Sequence, residues 1–188
     1  MNPLLLRLCL TVGAWLAASL QAGEAPGPAT AKSNFKAGFA ERDITPDIGM
    51  EAPGGYGKSY HRTFHDACKV RAVVFDDGKQ RVALAGLDLL FVTRHFVKEV
   101  RAEIEKRCGI KPEGVLISAS HSHSSGPIGM AEPGDYDNAS PLVKDLVNNK
   151  SIVSDPGYTQ LLRRQTIEAI ALANDARTGL FRAGNAGG

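Results

Sequence analysis

Between Arg71 and Ala119 the sequence commits to a strand, a turn, a strand, a helix and a further strand, and few folds accept that order. RAVVF at 71–75, a DDGK turn and QRVALAGLDLL at 80–90 read as a β-hairpin, with Asp77-Gly78 as its turn signal. Thr93 stands where the next helix needs a cap. Phe96, Val97, Val100, Ile104 and Cys108 then fall at helical spacing, with Lys98, Glu99, Arg101 and Glu105 mostly outside the stripe. Gly109 occupies the position past a helix end that takes positive φ. After a turn at Lys111–Gly114 comes the apolar run VLISA at 115–119. Strand, amphipathic helix and strand make a βαβ unit, whose crossover is expected right-handed and whose two strands are expected parallel. The fold class expected is therefore α/β: a mixed β-sheet with a βαβ unit and flanking helices.

Ligands in open α/β sheets gather at the carboxyl ends of the strands. Here those ends carry Asp88 and the run Ser120-His121-Ser122-His123-Ser124-Ser125-Gly126-Pro127. Residues two apart on an extended chain point to the same side, with Cα atoms about 6–7 Å apart. If strand geometry persists through the motif, His121 and His123 present both imidazoles to one face, and Gly126-Pro127 stops the strand. Paired imidazoles at a strand end suit metal binding or catalysis, because neutral imidazole is the commonest nitrogen ligand of zinc. A satisfied structural histidine is the plainer reading. Asp88, on the neighbouring strand, either orients an imidazole from behind or caps the approach to the helix.

Charge excludes one class of partner. With 22 basic and 20 acidic residues and a net charge of +2, the chain has no Lys/Arg-rich block and no nucleic-acid footprint. The apolar share of 43% is that of a globular domain, and 188 residues leave room for one of ordinary size. Residues 1–22 have the layout of a secretory signal peptide: Arg7 near the start, an apolar run from Leu8 to Leu20, then small residues. An uncleaved anchor is the alternative. A Pro/Ala/Gly-rich linker over 23–34 precedes a domain at 35–188, and the product is read as secreted or periplasmic. The mature chain keeps Cys68 and Cys108, which export would allow to pair; two unpaired, buried thiols are the expectation.

The remaining chain supplies a frame and some weaker candidates. Asn34–Thr45 reads as an opening strand ended by Pro46, and 47–58 as a loop with four glycines, an irregular turn without the context of a phosphate cradle. His61 and His65 follow four residues apart in extended or loop structure, each more often a plain polar residue; His65-Asp66 is a weak site candidate. The polar stretch 126–154 is too long for an idle connection and is expected to cover or shape a site. Asp155-Pro156 starts a second helix, with Tyr158, Leu161, Leu162, Ala169, Leu172 and Ala173 on its apolar face and Ile167 off it. The run after Ala176 reads as the beginning of a strand that would expose unpaired backbone.

Three stretches together resemble the N-terminal part of the neutral/alkaline non-lysosomal ceramidase family: AGFAERDITPDIG at 37–49, FHDACKVRAVVFDDGKQRVALAGLDLL at 64–90 and VLISASHSHSSGP at 115–127. The last is similar to that family's S-A-T-H-T-H-S-G-P signature, with one inserted serine, Ser124 or Ser125. The resemblance runs over about residues 35–188. It implies a ceramidase-like N-terminal domain of a zinc-dependent amidase, which hydrolyses the N-acyl bond of ceramide to sphingosine and a fatty acid. It maps a Zn2+ ligand onto His121 and a substrate-contacting active-site histidine onto His123. A ceramide-like lipid or other small amide is the implied substrate, with transient membrane-surface contact.

In that family a second His, a Glu, a Tyr and a catalytic Ser come from well downstream, whereas this chain's five histidines, at 61, 65, 95, 121 and 123, end at 123. The expectation is an N-terminal portion of a larger enzyme, inactive alone. Two other readings stand beside it. One is a related metal hydrolase acting on another amide or ester; the H-x-H-x-D motif of metallo-β-lactamase-like proteins fits poorly, since Ser125 stands where its Asp is required. The other is an exported binding or structural domain with an incidental H-x-H.

Overall fold

The computed structural model describes residues 34–179 apart from positions 56 and 130. The leader and linker expected over 1–34 lie, Asn34 excepted, outside the described residues. Strands β1 (Lys36–Asp43), β2 (Lys69–Asp76), β3 (Arg81–Leu87), β4 (Val115–Ala119) and β5 (Thr178–Gly179) form one sheet in the order β4-β3-β2-β1-β5. Helices α1 (Arg94–Cys108), α2 (Pro141–Asp145) and α3 (Pro156–Asp175) complete the α/β fold. Strands β3 and β4, joined through α1, are parallel; the other pairs are antiparallel. The βαβ unit and the preceding hairpin are as the sequence implied. No described helix is long and apolar enough to cross a membrane.

Local chemistry explains the boundaries. In the β2–β3 turn Asp77 Oδ1 accepts from the N–H groups of Lys79 and Gln80 at 2.8 and 2.7 Å, and Gly78 takes φ 86°. Those backbone donors hold the Asp77 carboxyl below its ordinary range. Thr93 Oγ1 accepts from Phe96 N–H at 3.2 Å to open α1, and Gly109, at φ 65°, closes it by donating to the Glu105 carbonyl at 2.9 Å. Asp155 caps α3 by accepting from Tyr158 N–H at 2.7 Å, with Pro156 in the first turn.

Alternation along the strands puts Val70, Ala72, Val74, Ala83, Ala85, Leu87, Val115 and Ile117 on one face, all buried. Phe96, Val100 and Ile104 of α1 join the same core, each burial contributing about 1.5–3 kcal/mol. Helix α3 packs on β1 and β2 and also on α1, so more of its surface is buried than one stripe provides. Tyr158, Leu162, Ala169 and Ala173 are buried as expected, and so are Thr166, Ile170, Ala171 and Asn174. Leu161 and Leu172 are only half-buried, and Ile167, expected off the apolar face, is half-buried against the core margin. The helix comes so close to β1 that a Cβ on Gly38 would stand 2.0 Å from the Ala173 carbonyl oxygen.

On the opposite face register aligns Phe39, Val73, Leu84 and Leu116 in one row across four strands. Phe39 is 68% exposed and Leu116 56% exposed. The final strand is not unpaired: Thr178 and Gly179 lie antiparallel to Ala37 and Lys36. Cys68 and Cys108 are free thiols, Cys68 buried and Cys108 half-buried, and burial is the chief cause that pushes both thiols up.

Candidate active site

The His-Ser-His segment leaves the sheet as a turn. Strand β4 ends at Ala119, and His121 adopts φ 63°, the one non-glycine residue with positive φ among those described. Strand geometry therefore does not persist through the motif, and Gly126-Pro127 is not what stops it. The two imidazoles meet all the same. Their ring centroids lie 5.0 Å apart, with the planes at 76°. The left-handed residue, instead of a two-residue repeat, brings them together.

Contacts from four directions fix the backbone of this turn. From the end of β3, the Leu87 and Leu89 carbonyls accept from Ser120 and Ser122 N–H at 3.0 and 2.9 Å. At the head of β2, Cys68 Sγ donates to the Ser124 carbonyl at 3.4 Å. From α3, the Tyr158 hydroxyl accepts from Gly126 N–H at 3.2 Å and donates to the Ile44 carbonyl at 2.8 Å. Burial drives the Tyr158 phenol well above its ordinary range, so it stays a neutral donor. Gly126 is required because a Cβ there would stand 2.3 Å from the Tyr158 ring. The fourth contact comes from His61, whose Nε2 lies 2.7 Å from the Ser125 carbonyl.

Within this mount the side chains differ in what they have left to offer. His121 Nδ1 lies 3.0 Å from the Leu90 carbonyl. A carbonyl only accepts, so Nδ1 carries the proton and the lone pair sits on Nε2, the tautomer a metal ligand needs. The His123 ring lies against Gly54, where a Cβ would stand 2.4 Å from Nδ1. Ser125 is fully buried, its hydroxyl donating to the Ser122 carbonyl at 3.0 Å, so it cannot stand in for a ligating Asp.

Several sequence candidates are placed elsewhere. Asp88 neither orients an imidazole nor caps a helix: its Oδ2 accepts from Lys69 N–H at 2.9 Å and from Arg71 at 3.0 Å, tying the end of β3 to β2. His65 and Asp66 pair with each other at 2.8 Å, with side chains 97% and 89% exposed. His61, read as a plain polar residue, is 9% exposed and part of the mount. The 47–58 loop is more than an irregular turn: Glu51 and Tyr60 form an antiparallel bridge, making a hairpin whose tip holds Gly54 on His123.

The long 126–154 stretch contains α2 and a π-helical turn at Leu146–Lys150, and closes on itself through an Ala131–Val153 bridge. With the hairpin it lines an open cleft of about 440 Å³, between Met50, Glu51, Pro127, Pro133, Val153 and Asp155, with no histidine in its wall.

Among the described residues no group of three or more His, Cys, Asp or Glu side chains converges as a metal site. A catalytic zinc takes three protein ligands and an open position. The residues present fit part of that set: one bare imidazole nitrogen on a fixed ring, and a second imidazole beside it.

No family model matches the chain, and no curated protein is matched by its sequence. Solved structures do match. A neutral ceramidase from Pseudomonas aeruginosa superposes with a TM-score of 0.61 at 18% identity, covering 77% of this chain and 22% of that one. A ceramidase complexed with C2 gives 0.58 at 19% identity, with the same coverage. The fold is thus a ceramidase-like α/β fold. The chain spans less than a quarter of the length of these ceramidases.

Proposed function

We propose that this chain carries the histidine turn of a zinc-dependent hydrolase of the neutral-ceramidase type, one that cleaves the N-acyl amide bond of ceramide to sphingosine and a fatty acid. The observation that carries the reading is the free Nε2 of His121 on a ring whose Nδ1–H is spent on the Leu90 carbonyl. In this reading His121 binds zinc through Nε2. Bound zinc supplies Lewis acidity at the scissile carbonyl. His123, with its ring centroid 5.0 Å from that of His121, contacts the reacting oxygens, stabilising developing negative charge or moving a proton. The protein is exported to the periplasm or outside the cell and meets its lipid substrate at a membrane surface.

On this reading two imidazoles supply only part of the ligand set a catalytic zinc requires, and residues 34–179 by themselves would be inactive. The same observation favours a second reading, an exported non-catalytic binding domain on a ceramidase-like fold. Zinc titration of the folded chain, followed by calorimetry, separates them. The hydrolase reading expects zinc binding that weakens tenfold or more in His121→Ala, with an unchanged melting curve. A folded chain indifferent to millimolar zinc would leave the binding-domain reading.

A further inference from the structure

We infer that His61 is a positioning residue for His123. The idea rests on the reading of His123 as an active-site group, but its geometry stands independently. The backbone of His61 closes the base of the 49–61 hairpin: its N–H donates to the Met50 carbonyl at 2.9 Å, and its carbonyl accepts from Gly49 N–H at 2.8 Å. Its side chain leaves the hairpin and donates from Nε2 to the Ser125 carbonyl at 2.7 Å, in the turn that follows the paired histidines. Phe64 packs on the ring, with centroids 4.5 Å apart, and holds its orientation. One buried imidazole therefore fastens the hairpin to the histidine turn.

The consequence falls on one of the two rings. The hairpin tip carries Gly54, whose α-carbon supports the His123 ring; a Cβ on Gly54 would stand 2.4 Å from Nδ1, 2.7 Å from Cε1 and 2.7 Å from Cγ. His121 is held from another quarter, by the Leu90 carbonyl at the end of β3. Freeing the hairpin thus releases His123 and leaves His121 in place. A residue that merely added stability would loosen both or neither. Gly54 reinforces the point: with φ at 86° and no room for a Cβ, it allows the backbone itself to be the wall against the ring.

The test is zinc-free, made by NMR on the isotopically labelled full chain. His61→Ala is expected to abolish the cross-relaxation between Gly54 Hα and the His123 ring and to raise the ring's mobility, while the His121 ring signals hold their positions. His61→Gln, whose amide N–H can also donate to the Ser125 carbonyl, is expected to restore the Gly54–His123 contact. An unchanged His123 ring in His61→Ala overturns the proposal, and so does equal loosening of both histidines. Should His61→Ala fail to fold, Gly54→Ala carries the test: it must displace His123 with the His61–Ser125 hydrogen bond intact, and an undisturbed ring there refutes it. Because no zinc enters, a failure of zinc binding counts against the hydrolase reading alone, and a failure of these ring signatures counts against the role of His61 alone.

Discussion

The two ends of β3 are both polar, and they differ in what they leave unspent. At the Arg81 end, Arg81 donates to Asn174 Oδ1 at 2.8 Å and to the Gly109 carbonyl at 3.4 Å, while Arg177 pairs with Asp76 at 3.2 Å and also bonds Asn174. Side chains are consumed there in fastening α3 to the sheet. At the Leu87 end the side chains of His61, Cys68 and Tyr158 and the Leu87 and Leu89 carbonyls all bond the backbone of the histidine turn, and His121 Nδ1 bonds the Leu90 carbonyl. His121 keeps one ring nitrogen without a partner among the described residues. A rigid turn that leaves a donor atom unspent is what a ligand site requires, and a cluster that exhausts its groups is a clasp.

The two ends should differ most where the histidine turn has no spare volume. Gly126→Ala pushes a methyl into the Tyr158 ring and is expected to cost about 3 kcal/mol or more, whereas Gly86→Ala, with nothing within 4 Å, stays within about 0.5 kcal/mol. Denaturant melts of the two variants check the difference. At the clasp end, Asn174→Ala strips partners from two guanidinium groups and is expected to cost about 1–3 kcal/mol while leaving zinc affinity alone. Calorimetry with zinc on that variant shows whether the two ends are independent.

His121→Gly should act in reverse. A non-glycine residue in the left-handed region costs on the order of 1–2 kcal/mol, and glycine's extra backbone freedom returns part of that, so stability should rise by up to about 1 kcal/mol. Zinc binding should vanish in the same variant. Gain of stability with loss of binding would mark the strain as retained for function.

The smallest expected effect concerns acid. The Thr45 side chain first, then the Thr45 N–H and Lys69, hold the Asp43 carboxyl below its ordinary value of 3.8. A depressed folded-state pKa gives stability that is present above the unfolded value and lost as pH falls through the folded one. Asp43→Asn should therefore be slightly less stable than the parent near pH 7 and converge with it in acid, its profile flatter below about pH 4, as melts across that range would show.

What the sequence made legible was local. Thr93, Gly109, Asp155-Pro156 and Asp77-Gly78 act through neighbours within a few residues, so their types alone mark the caps and the turn. The βαβ unit follows from two periodicities and one length. The site was legible in its residues and not in its construction. His61 and Ser125 are 64 positions apart, and the Tyr158 hydroxyl reaches Ile44 across 114, contacts that no spacing rule announces. The two-residue repeat of a strand ends at Ala119, and a left-handed backbone at His121 replaces it. Asp88 shows the same limit: a carboxylate at a strand end looks available until Lys69 and Arg71 are seen to hold it.

The most direct measurement is the tautomeric state of His121, read from its ring nitrogens by long-range ¹⁵N NMR at neutral pH before and after zinc. The expected result is a proton on Nδ1, a bare Nε2, and a zinc-induced shift at Nε2 with the Nδ1–H retained. A proton on Nε2, or a ring unmoved by millimolar zinc in a folded chain, would contradict the claim that this turn is built to present a metal ligand.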